Sequence, residues 1–115
     1  MLVTNVKTLV VSAARSSTGE SNWFKLHRTW QIQFFLEATA KTSSPTLDVT
    51  VVESPDQTTE YLRETFAQLT DVGKEKKATE FPAKYVKIKW VFGGTGDITF
   101  SVKANVKEFV KEGIS

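Results

Sequence analysis

The chain has 115 residues, of which 24% are charged and 40% hydrophobic, with a formal net charge of +2. That length suits one domain with a continuous core, and the evenly mixed charges leave no basic footprint for a nucleic-acid partner. There is no cysteine, which excludes disulfides, thiolate metal sites and cysteine nucleophiles.

No apolar run approaches the ~20 residues of a membrane helix, so no membrane partner is expected. The opening MLVTNVKTLVVSAARSS lacks a positive start before an apolar block, and a signal peptide is not expected. Residues 1–7 are expected to form a flexible N-terminal arm, because termini are mobile unless docked.

Period two then dominates the chain. Thr8–Ala13 is a β-branched run, and Ser16–Gly19 has turn chemistry. Trp23–His27 is a short strand candidate. From Trp30, the residues Trp30, Ile32, Phe34, Leu36 and Ala38 alternate with Gln31, Gln33, Glu37 and Thr39. Thr42–Pro45 breaks the run, and Leu47, Val49 and Val51 resume it against Asp48 and Thr50. Ser54-Pro55-Asp56 is a turn.

A strand is expected near 60–66, a loop at 70–76 and a short strand near 77–81. Val86, Ile88, Trp90 and Phe92 alternate with Lys87 and Lys89. Ile98, Phe100, Val102, Ala104 and Val106 do so against Thr99, Ser101, Lys103 and Asn105. The tail KEFVKEGIS is expected to fray or form a last helical turn. Seven or eight short strands with almost no helix predict an all-β, antiparallel, jelly-roll-like β-sandwich in a single domain, 1–115.

Gly93-Gly94-Thr95-Gly96-Asp97 raises the question of phosphate binding. A phosphate loop needs a helix after its glycines to supply aligned N–H donors. Here a strand follows, so the glycines are expected to turn a hairpin.

No catalytic constellation emerges. The one histidine, His27, has no GxSxG partner motif, and a zinc site needs more ligands than the chain supplies. Neither metal nor cofactor is therefore expected. Glu53 and Asp56 could meet across the Ser-Pro turn and hold calcium, or Asp56 could bond its own backbone. Trp23 is the candidate for an exposed ring. Trp23, Glu53 and Asp56 together are the candidate ligand contacts of a carbohydrate-binding module, the alternative function. Phe35, Val52, Tyr85 and Val91 sit on the parity assigned to solvent, and are the candidate assembly surface.

The segments SSPTLDVTVVESPDQTTEY, ETFAQLTDVG and KYVKIKWVFGGTGDITFSVKA resemble small β-sandwich structural proteins of tailed bacteriophages. What the resemblance implies is a non-enzymatic virion component, assembled in the host cytoplasm. It would be a head decoration, capsid-stabilising part or other accessory. Its partners would be copies of itself, a trimer if it decorates heads, and phage capsid or tail proteins. The resemblance hands over no functional residues.

Overall fold

The computed structural model describes residues 2–109. Nine strands run in chain order: β1 (Leu2–Arg15), β2 (Gly19–Glu20), β3 (Phe24–Lys25), β4 (Thr29–Lys41), β5 (Ser44–Ser54), β6 (Tyr61–Thr65), β7 (Gly73–Glu80), β8 (Tyr85–Thr95) and β9 (Ile98–Phe109). One sheet has the order β1-β9-β4-β7; the other has β2-β8-β5-β6, with β3 also pairing β8. All named pairs are antiparallel.

The pairing is nested. β1 meets β9, β2 and β3 meet β8, β4 meets β7, and β5 meets β6. The first half of the chain thus folds back along the second as one long ribbon, which then rolls into two sheets through β4–β9 and β5–β8. Counting β2 and β3 as one interrupted strand, this is the eight-stranded jelly roll.

The core follows from alternation. Ile32, Phe34, Leu36 and Ala38 of β4 face Val106, Ala104, Val102 and Phe100 of β9 in register, and all are buried. Opposite them, Leu47, Val49 and Val51 of β5 align with Phe92, Trp90 and Ile88 of β8. Trp90 meets Phe100 edge-on across the sandwich, with ring centroids 5.6 Å apart. The Arg15 guanidinium closes that end: it lies 5.0 Å from the Phe100 ring and 5.4 Å from Trp90, and donates to the Val11 and Phe100 carbonyls.

The glycine loop turns the chain between β8 and β9, but these strands belong to different sheets and do not pair, so it is a crossover from one sheet to the other and not the expected hairpin; alternation on both sides of a turn marks two strands without saying that they pair. Gly94 and Gly96 have φ of 71° and 105°, a region that L side chains avoid. The Thr42 hydroxyl and the Asp97 carboxylate bond across its base, and Asp97 N–H donates back to Thr42 Oγ1 at 3.1 Å.

Four further expectations need correction. Residues 2–7 are not a loose arm: each pairs with β9, from Leu2↔Phe109 to Lys7↔Ala104, because β9 runs on past the core and offers a ladder. Met1 lies outside the described residues. The expected loop at 70–76 already belongs to β7 from Gly73 onward, where the strand pairs β4 from Ala38 to Gln31. Its inward Glu75 and Lys77 pair with each other at 3.3 Å, so charge there does not forbid a strand. Lys107–Phe109 continue β9 instead of fraying, and residues 110–115 lie outside the described part. Finally, Trp30 is half-buried and outside the core cluster. The pairing shifts between Thr29 and Gln31, and the Trp30 ring lies 5.5 Å from Lys107 Nζ.

Candidate functional site

The outer face of the β8–β5 sheet carries the most organised polar cluster. Lys87 and Lys89 fall on the outward parity of β8, opposite Val52 and Thr50 of β5. Glu20 reaches them from β2, where it is in register with Lys89, and Glu60 from the residue before β6. Lys87 Nζ lies 3.1 Å from Glu20 and 2.8 Å from Glu60. Lys89 Nζ lies 3.8 Å and 2.8 Å from the same two carboxylates. Two cations and two anions therefore form a closed neutral quartet, with the Trp23 ring 4.5 Å from Lys87 Nζ.

Lys87 is 5% exposed. Burial alone would push its amine down; hydrogen bonds to Glu60 and then Glu20 outweigh that and hold it above the ordinary lysine value. The same bonds, Lys87 first and Lys89 second, hold Glu60 below its ordinary value. An amine held protonated is a poor nucleophile. With both lysines already paired, the face presents little net field to an anion.

The sequence-derived candidates are not brought together. Trp23 is half-buried against Lys87. Glu53 aligns with the buried Val86 and so takes the inward parity. Its carboxylate accepts from Ala83 N–H at 2.8 Å and pairs with Arg63 at 3.4 Å. Asp56 serves its own turn, accepting from Thr58 N–H, Thr59 N–H and the Ser54 hydroxyl. Those bonds, the Thr59 one largest, lower its pKa. Neither carboxylate is left open for a shared cation. Among the described residues, no group of three or more His, Cys, Asp or Glu is placed to hold a metal ion.

Nor do Phe35, Val52, Tyr85 and Val91 make one surface. Phe35 lies on the outer face of the β4-containing sheet, between Lys76 and Lys103 in register. The other three lie on the outer face of the opposite sheet. Val52 is 6% exposed, flanked by Lys87 and Leu62. Tyr85 is half-buried, and Val91 is exposed. Parity alone does not tell which sheet an outward residue belongs to.

The sequence reading missed Phe81. It has φ of 48°, which is uncommon for a bulky residue, yet the residue is 73% exposed. Its turn is clamped on both sides. Glu80 C=O accepts from Arg63, Phe81 N–H donates to Trp30 C=O, and Ala83 N–H donates to Glu53, each at 2.8 Å. An aromatic ring is thus held out in water on a fixed backbone. No local pattern signals this, because the clamps come from three distant strands. The Lys87–Lys89 pair was visible as two lysines on one strand face; its partners Glu20 and Glu60 were not.

No family model matches the sequence, and no curated protein sequence matches it. Solved structures do share the fold. The SPBc2 prophage-derived protein YomS has a TM-score of 0.61 at 13% identity, covering 94% of this chain and 96% of that one. A chain in the structure of infectious bursal disease virus, Gx strain, has a TM-score of 0.63 at 13% identity, covering 94% of this chain. This chain spans only 33% of that viral chain. The Gt strain of the same virus gives 0.53 at 12% identity, over 97% of this chain and 37% of that one. At such identities the likeness is one of fold.

Proposed function

We propose that the chain is a non-enzymatic virion structural protein of a tailed phage, a head decoration or other accessory component that acts through self-association and lattice binding. The observation that carries this reading is the mutual coverage with prophage-derived YomS, 94% of one chain and 96% of the other. Two features support it. The polar cluster on the sheet face is internally neutralised and holds no activated nucleophile. The two most exposed large apolar residues among those described, Phe81 and Val6, lie away from it, on a clamped turn and a sheet edge, as contact surfaces do. The carbohydrate-binding alternative needs an open aromatic platform beside free carboxylates, whereas Trp23 is half-buried against Lys87 and Glu53 and Asp56 are engaged.

The test is particle composition. Phage particles induced from the strain that carries the gene are purified and analysed by mass spectrometry. Many copies per particle are expected. Absence from complete particles and from their separated heads and tails would reject the reading.

A further inference from the structure

A jelly roll has four sheet edges, and natural proteins blunt such edges with charge, shortness or bulges. Three are blunted here. β7 carries five charged residues in eight: Lys74, Glu75, Lys76, Lys77 and Glu80. β6 is five residues long, with Arg63 and Glu64 inside it. β2 and β3 are two residues each.

β1 is different. It is 14 residues long, and Lys7 is the one charge between Leu2 and Ala14. Its first half, Leu2–Thr8, pairs β9 without a register shift; the shifts begin between Thr8 and Val10. Among the described residues, no strand pairs its other side. The outward set on this segment is Leu2, Thr4, Val6 and Thr8, in register with Phe109, Lys107, Asn105 and Lys103. Leu2 is 57% and Val6 72% exposed. A nearly uncharged edge with no register shift presents a row of backbone donors and acceptors that water satisfies in the free chain and that another strand can take over.

We infer that the free edge of β1 pairs antiparallel with β1 of a second copy, in a register centred on Val6, to join two sheets into one. This rests on the reading of the chain as a self-associating component and names the surface. Self-complementarity argues for the second copy. Residues facing each other in an antiparallel ladder share a face, so a two-fold passes through one residue, and three centres lie at or beside Val6, the more exposed of the two outward apolar residues: Asn5, Val6 and Lys7. Centring on Lys7 sets two ammonium groups opposite each other, which destabilises. Centring on Asn5 sets Lys7 against Val3 and Val6 against Thr4. Centring on Val6 sets Val6 on Val6 as an apolar pair and Thr4 on Thr8 as a favourable cross-strand pair, with no like charges opposed: Lys7 falls beside Asn5, whose amide N–H already donates to Glu108 and whose amide oxygen can accept from the ammonium. The register shift after Thr8 ends the ladder, so the contact is small and suits a weak lattice interface more than a permanent dimer.

The chain has no cysteine, so single cysteines report directly. Under mild oxidation, V6C of the full chain is expected to crosslink roughly tenfold or more faster than T58C, a control on an exposed turn, because a held pair exceeds random collision. T4C and T8C are each expected to crosslink slowly alone and rapidly when mixed. V6K is expected to keep the wild-type thermal midpoint and lose the concentration-dependent rise in mass. Equal rates for V6C and T58C overturn the inference. If light scattering still finds an oligomer in that case, only the β1 contact fails; if the chain is monomeric throughout, self-association fails with it.

Discussion

Replacing Gly94 by alanine tests whether the glycine loop is a turn and nothing more. At φ of 71°, an L side chain costs ~1–2 kcal/mol. The added Cβ would also overlap the Ser44 carbonyl oxygen and come within 3.4 Å of Pro45 Cα. Relief requires the start of β5 to move off the end of β8, where Ser44↔Thr95 and Pro45↔Gly94 are paired. Losing one ladder hydrogen bond there adds about 1 kcal/mol. The sum is about 2–3 kcal/mol. With a urea slope of about 1.5 kcal/mol/M, that lowers the denaturation midpoint by about 1.3–2 M. Gly73→Ala is the matched control. Gly73 has no positive φ, and its added Cβ would sit 3.5 Å from Leu69 Cδ2, an ordinary contact. That change is expected to be neutral or to stabilise by up to ~1 kcal/mol. If Gly94→Ala and Gly73→Ala unfold at the same urea concentration, the account of the loop is wrong.

Other outcomes follow from the same geometry. Phe100→Ala removes a fully buried ring between the sheets and is expected to cost ~3–5 kcal/mol by chemical denaturation. Phe81→Asn is expected to leave the thermal midpoint nearly unchanged, since Asn tolerates the left-handed backbone and the ring is mostly in water. The same variant is expected to bind purified particles more weakly in a pelleting assay. Lys87 is held above its ordinary 10.5, so its contribution is complete below that pH and disappears as the pH rises through the folded value. Glu60 and Asp56 are held below 4.5 and 3.8, so theirs is complete above those values and disappears on acidification. Thermal midpoints across pH should flatten at the alkaline limb in Lys87→Met and at the acid limb in Asp56→Asn. Acrylamide is expected to quench Trp23 well before Trp90, whose indole N–H donates to Ser17 C=O within a nearly closed site.

The sandwich was legible where one face of a strand is dry and the other wet. β4, β5, β8 and β9 alternate for that reason, and a turn at the glycines was readable because a strand follows them; that the turn crosses between sheets instead of closing a hairpin was not, since it depends on which partners β8 and β9 find. β1 was harder. Its first half is wet on both faces, so Leu2, Val3 and Val6 alternate with nothing, and the strand exists because β9 templates it. β7 hid behind its charges, which suit an exposed edge. The polar quartet was half legible, since Lys87 and Lys89 share a strand face, while Glu20 and Glu60 arrive from opposite edges of the sheet. Phe81 was not legible, because its oddity is a backbone angle fixed by Arg63, Glu53 and Trp30.

The most direct measurement is the mass of the purified full chain by light scattering, from micromolar to millimolar concentration, alone and with purified phage particles. A rise from 12.9 kDa toward multiples of it, and saturable uptake onto particles, is what a multi-copy lattice component gives. A mass fixed at 12.9 kDa at every concentration, with no uptake onto heads or tails, would contradict it.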